Sequence, residues 1–144
     1  FYEEVYNIIE GQPPEINLSN EKNNGHSILE IIKNNLTYSV HDVASGGLLV
    51  ALAEMSIGTD YGVLINRPKK LTNLFKYFFG EDQSRYILEV GSDNLKKVEK
   101  ILKNNNVFYE NIGITQNNYL EIMNEMKLDI KQLYKVNNQW YNNY

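Results

Sequence analysis

Residues 38–57 leave this chain few choices of fold. An extended stretch from Tyr38 to Val40 runs into His41-Asp42, then a glycine turn, then a helical pattern. The adjacent Gly46 and Gly47, after Ser45, permit a tight reversal that residues carrying a Cβ resist. Leu48, Leu49, Leu52 and Met55 then recur at helical spacing from about Gly47 to Ile57, and Ala51 and Ala53 allow close packing. Gly58 and Thr59-Asp60 stop the helix, and a buried strand is expected from Gly62 to Ile65, with Pro68 closing the loop after it.

The flanking segments extend this alternation. Val5, Tyr6, Ile8 and Ile9 predict a short helix from Glu3 to Glu10, ended by Gly11 and Pro13-Pro14. A second helix is expected with Ser19 as N-cap, burying Ile28, Leu29, Ile31, Ile32 and Leu36, although Gly25 weakens its middle. Leu71 to Tyr77 reads as helix, Phe78 to Arg85 as a connector, and Tyr86 to Val90 as a strand. Asp93 is placed to cap a helix from Asn94 to Lys103 that buries Leu95, Val98, Ile101 and Leu102. Short strands are expected at Val107–Tyr109 and Ile112–Thr115, then a hairpin-type pair at Tyr119–Ile122 and Met126–Leu128, then a helix from Ile130 to about Trp140. The later strands lack intervening helices, so the prediction is an α/β (α+β) fold with a mixed rather than purely parallel sheet.

The 144 residues suit one domain with its own core, and no linker divides them. A net charge of −4 argues against nucleic acid as partner, because phosphate neutralisation needs clustered Lys and Arg. No apolar run is long enough for a membrane span. The absence of cysteine excludes disulfides, thiolate zinc sites and a cysteine nucleophile, and it fits a reducing, cytoplasmic setting. With only His26 and His41, a histidine-based metal site is not expected. The start, Phe1-Tyr2-Glu3-Glu4, has neither signal-peptide character nor an initiator Met, so a segment of a longer polypeptide is expected.

Two segments carry candidate chemistry. In the first, His41 to Met55, a strand delivers His41 and Asp42 to a turn whose free N–H groups sit at a positive helix end. Gly46 and Gly47 would let a phosphate approach the backbone, His41 could donate to an oxygen, and Asp42 could orient it or hold a cation through water. A plain tight turn with a satisfied histidine competes with that reading. The second segment runs from Phe79 to Arg85. Glu81 could engage a cation or amine, and Arg85 could fork onto a phosphate. Its alternative is a solvated connector with an internal Glu81–Arg85 pair worth at most about 1 kcal/mol. Phe75, Tyr77, Phe78 and Phe79 read as packing rather than base stacking, since basic residues are not interleaved. Lys69-Lys70 and Lys96-Lys97 read as solvated faces, and Trp140, Tyr141 and Tyr144 as packing or a flexible end.

The run HDVASGGLLVALAEM, the strand Gly62 to Ile65, and FGEDQSRYILEV at Phe79 to Val90 occur in an order that resembles the phosphoribosylformylglycinamidine synthase family. Gly11-Gln12-Pro13-Pro14 upstream and Ile112-Gly113 downstream extend the resemblance over essentially the whole chain. The wider group includes aminoimidazole ribonucleotide (AIR) synthase, selenophosphate synthase, thiamine monophosphate kinase and a hydrogenase maturation factor. The resemblance implies a C-terminal domain with a mixed sheet flanked by helices in three layers. It also implies a ligase of purine biosynthesis that uses ATP and Mg²⁺ to phosphorylate the amide oxygen of formylglycinamide ribonucleotide. Ammonia released from glutamine by a glutaminase partner or domain then displaces phosphate, leaving the amidine. In such enzymes the ATP-binding domains precede this one, so ATP and Mg²⁺ are expected mainly on that N-terminal part, with the isolated segment inactive.

The resemblance carries a substrate- or phosphate-facing role to His41, Asp42, Ser45, Gly46 and Gly47, and to Glu81, Ser84 and Arg85. No general base is assigned. The family often has Ser-Asp before Gly-Gly, where this sequence has Ala44-Ser45, so an acid at that place is not available for a metal, whereas Ser45 can still donate to phosphate. A sister enzyme, such as an AIR or selenophosphate synthase, is the alternative within the group. A non-catalytic scaffold that docks the glutaminase and a small tunnel-forming protein is the alternative outside enzymology.

Overall fold

The computed structural model describes residues 2–9, 14–66, 73–139 and 141. The expectations placed on Glu10, Gly11, Gln12, Pro13, Pro68, Lys69-Lys70, Leu71, Trp140 and Tyr144 lie outside the described residues. In chain order the elements are α1 (Tyr2–Tyr6), α2 (Leu18–Lys33), β1 (Ser39–Asp42), α3 (Gly47–Ser56), β2 (Tyr61–Ile65) and α4 (Leu74–Phe79). There follow β3 (Tyr86–Glu89), α5 (Ser92–Asn104), β4 (Gly113–Asn117), β5 (Tyr119–Ile122), β6 (Met126–Asp129) and α6 (Ile130–Asn138). No helix among the described residues is long and apolar enough to cross a membrane.

The strands form two sheets. β1 and β3 make an antiparallel ribbon in which His41 faces Ile87 and Asp42 faces Tyr86. The other four strands lie in the order β4-β2-β5-β6, with β2 and β5 parallel and the remaining pairs antiparallel. The α/β class with mixed strand pairing holds, and β5–β6 is the expected hairpin pair, with Leu120 opposite Leu128.

The larger core cluster gathers Leu48, Ala51 and Leu52 of α3 with Val43, Ile65, Phe78, Ile87, Leu120 and Ile122. A smaller one joins Ile31 and Leu36 to Val98 and Leu102 of α5. Each aliphatic side chain withdrawn fully from water contributes roughly 1.5–3 kcal/mol, so these clusters hold the elements against each other. Strand β3 serves both: Ile87 belongs to the larger cluster, while Leu88 packs against the smaller one.

Several boundaries differ from those expected. Helix α2 starts at Leu18, and its N-cap is Asn17 rather than Ser19. Asn17 is extended and its side-chain oxygen accepts from the Asn20 N–H at 3.0 Å, whereas Ser19 falls inside the first turn. Leu29 and Ile32 of α2, expected in the core, are 51% and 44% exposed, because the smaller cluster packs against the Ile28–Ile31 side of the helix. Helix α4 begins later and runs through Phe79: Asn73 caps it by accepting from Lys76 N–H at 3.0 Å, and Phe78 is buried in the larger cluster rather than in a connector. Helix α5 starts at Ser92 with Gly91 at the cap position and no side-chain cap. Asp93 sits instead in the first turn, where its charge complements the helix dipole. Residues 107–109 form no strand. Left-handed Asn106 turns the chain out of α5, Val107 N–H returns to Leu102 O at 2.8 Å, and Val107 and Tyr109 pack on the smaller cluster.

Candidate functional site

The β1–β3 pairing brings together two segments separated by some forty residues of sequence. Beyond the register of Asp42 with Tyr86, the Val43 N–H donates to Arg85 O at 2.8 Å, which aligns residues 43–45 with residues 83–85. Between them opens a cavity of about 360 Å³, lined by Asp42, Ser45, Glu81, Ser84 and Arg85 of the expected set. Ala44, Asp82, Gln83 and Tyr86 contribute to the same walls, as does Glu21 from α2.

The turn into α3 depends on its glycines. Gly46 and Gly47 both have left-handed backbones, at φ +83° and +73°, a conformation that costs other L-residues roughly 1–2 kcal/mol each. A Cβ on Gly47 would lie 2.7 Å from the Phe79 carbonyl carbon and 2.8 Å from Gly80 O, so the missing side chain lets α3 begin against the end of α4. A Cβ on Gly46 would meet the Val50 side chain at 2.5 Å.

Both turn amides already have acceptors. Gly46 N–H donates to Glu81 Oε1 at 2.7 Å, a short charge-assisted bond, and Gly47 N–H donates to Ala44 O at 3.1 Å. The carboxylate of Glu81 therefore accepts from the turn amide at which the sequence reading expects a phosphate. Glu81 does not make the expected internal pair. Arg85 pairs with Asp82 (Nη1 to Oδ2, 3.7 Å) and donates to Gly80 O at 3.1 Å and Tyr77 O at 3.3 Å, fastening the loop to the negative end of α4.

His41 does not line the cavity. Its Nδ1 lies 2.6 Å from the Asp42 carbonyl oxygen, which can only accept, so this nitrogen carries a proton. Nε2 lies 3.5 Å from Glu54 Oε2 of α3. When Nε2 is protonated as well, the ring pairs with this carboxylate and ties the strand to the helix; Glu54 is the partner that the sequence reading missed. Its position seven residues after Gly47, on the same face of α3, was the available signal. Near the back of the loop, burial first and the neighbouring Glu110 carboxylate second push the Tyr77 hydroxyl up to about 12, against the opposing pull of Arg85. The hydroxyl stays protonated and donates to Glu110 Oε2 at 3.3 Å.

Whether these residues could seat a nucleotide and its metal follows from the same contacts. Among the described residues no group of three or more His, Asp or Glu side chains is placed to hold a metal ion. With both turn amides filled and only Arg85 cationic among four lining carboxylates, the cavity by itself is poorly matched to nucleotide phosphates. The residues do not fit that role alone.

The chain resembles known proteins over most of its length. Residues 3–123 match the family described as AIR synthase related protein, C-terminal domain. The chain is 41% identical over 144 residues to the phosphoribosylformylglycinamidine synthase subunit PurL of Pelagibacter ubique, covering 100% of this chain and 20% of that protein. It is 38% identical over 135 residues to the same subunit from Rhodopseudomonas palustris, strain HaA2, covering 94% of this chain and 18% of the relative. The chain thus spans about a fifth of the length of these curated relatives. Among solved structures, Thermotoga maritima PurL complexed with FGAR superposes with a TM-score of 0.68 at 17% identity, over 79% of this chain and 21% of that one. PurLQS from the same organism gives 0.71 at 17% identity, over 92% and 24%. The fold is shared with both. The chain belongs to the AIR synthase related family, as a C-terminal domain of the kind carried by phosphoribosylformylglycinamidine synthases.

Proposed function

We propose that this domain, residues 1–144, works within a longer polypeptide as the C-terminal domain of an ATP-dependent ligase. That ligase converts formylglycinamide ribonucleotide to formylglycinamidine ribonucleotide in purine biosynthesis, with ammonia drawn from glutamine by a glutaminase partner or domain. One observation carries the reading: two of the segments of the family resemblance, residues 41–55 and 79–90, meet at one cavity and are joined beside it by the Gly46–Glu81 hydrogen bond. The likeness over the full chain to PurL subunits supports it, as does the shared fold with PurL structures solved with FGAR and with ATP.

On this reading the chain's own residues position the substrate rather than transfer protons. Asp42, Ser45, Glu81, Ser84 and Arg85 shape one wall of a cleft whose opposite wall is the N-terminal part of the polypeptide, where ATP and Mg²⁺ are mainly held. Gly46 and Gly47 set the direction of that wall, and His41, with both ring nitrogens protonated, braces β1 against α3 through Glu54. A phosphate that reached the turn would have to displace Glu81. Positioning of this kind contributes by holding reacting groups in register.

The test is ADP release by the full-length polypeptide with ammonium and Mg²⁺, with and without formylglycinamide ribonucleotide. Release that depends on that substrate is expected. Its absence from well-folded protein would move the assignment to a sister enzyme of the group or to a scaffold. The filled turn amides favour the scaffold as second reading. Under it, His41→Ala would alter stability or assembly but leave turnover per folded enzyme unchanged, and a large loss of turnover with normal folding would sink it.

A further inference from the structure

Behind Ser84, which lines the cavity, lies a contact that no sequence motif announces. Asn24, in the middle of α2, reaches across sixty residues of sequence to the loop after α4: its Nδ2 donates to the Ser84 carbonyl oxygen at 2.9 Å and to Ser84 Oγ at 3.0 Å. Ser84 has a left-handed backbone, φ +63°, which a serine does not adopt without support. The two bonds also have a fixed sense. A carbonyl oxygen only accepts, so Asn24 must present its amide nitrogen here, and Ser84 Oγ must be an acceptor for it. The hydroxyl proton of Ser84 is then left to point elsewhere, and Ser84 lines the cavity.

We propose that Asn24 is a positioning residue of this site: it holds Ser84 in its left-handed conformation and makes the Ser84 hydroxyl a donor directed at an acceptor oxygen of the bound substrate. The inference rests on the ligase reading for the identity of that substrate, but not for the clamp itself. Glu21, one turn earlier on α2, lines the same cavity, so this face of the helix belongs to the site.

Steady-state kinetics of the full-length polypeptide test the donor. Asn24→Ala is expected to raise KM for formylglycinamide ribonucleotide about fivefold, the share of one hydrogen bond, with kcat within about twofold. Asn24→Asp keeps the size of the side chain but can only accept, so it draws the Ser84 proton away and gives the same rise. Ser84→Ala also gives it, and Asn24→Ala combined with Ser84→Ala is no worse than either alone. Unchanged KM in both Asn24 variants, or effects that multiply in the double variant, would overturn the proposal. Limited trypsin digestion tests the clamp without any substrate. Cleavage after Arg85 is expected to accelerate in Asn24→Ala while cleavage after Lys103 does not, and an unchanged rate after Arg85 overturns the proposal. Lack of substrate-dependent ADP release by the unsubstituted polypeptide would count against the ligase reading alone, leaving the digestion to decide on the clamp.

Discussion

At Gly46 and Gly47 one backbone conformation serves two different contacts, and substitutions should separate them. The Cβ of a Gly47→Ala variant would press on the backbone of Phe79 and Gly80, which cannot swing aside without moving α4. The Cβ of Gly46→Ala would press only on the Val50 side chain, whose methyl groups can shift without moving another element. Both carry the left-handed penalty. Chemical denaturation should therefore show a loss of about 3–5 kcal/mol for Gly47→Ala and about 1–3 kcal/mol for Gly46→Ala. Val50→Ala should recover part of the second loss and none of the first. Equal losses, or recovery at both positions, would contradict this account. Gly46→Val would do its damage through strain and overlap with Val50, independent of any ligand.

Among the elements, the segments read correctly were those whose signals are local. Helix α3 and its glycine turn carry their pattern within twenty residues, and the β5–β6 pair is a short-range hairpin. Errors arose where distant neighbours decide. Phe78 joins α4 because it fills the core beneath α3, Val107 leaves the strand pattern because it folds back on α5, and half of the apolar set of α2 stays exposed because α5 packs on one side of it. The site followed the same rule. Residues 41–47 and 81–85 stood out as motifs, but their contacts did not: Glu81 turned from Arg85 to Gly46, and Asn24 had no signal because its partner lies sixty residues away. Helix starts give a direct check. Asn17→Ala should cost about 1 kcal/mol through loss of the bond to the Asn20 N–H, and Ser19→Ala should change stability by less than about 0.5 kcal/mol. The reverse order would restore Ser19 as the cap.

For the whole molecule the consequence lies in how unequal the two cores are. The larger cluster holds nine buried residues drawn from α3, α4, β2, β3, β5 and the turn after β1, whereas the smaller holds four, contributed by α2, the turn after it and α5. Opening free energy follows the apolar surface a unit keeps from water, so α2 and α5 should open at lower cost than α3 with β2 and β5. Since Asn24 reaches Ser84 from α2, this opening releases Ser84 while Glu81, Arg85 and the glycine turn remain held by the larger core. Native-state hydrogen exchange on the full-length polypeptide should show the amides of α5 exchanging faster than those of β2 and β5. Val98→Ala, which removes two methyl groups from the smaller cluster, should destabilise it by about 1–3 kcal/mol and speed exchange throughout α2 and α5. Amides of β2 and β5 should keep their rates, because β3 meets the two clusters through different residues, Ile87 on one side and Leu88 on the other. Uniform acceleration across all the elements would mean instead that the two cores open as one unit, and that the Asn24–Ser84 contact is as rigid as the glycine turn.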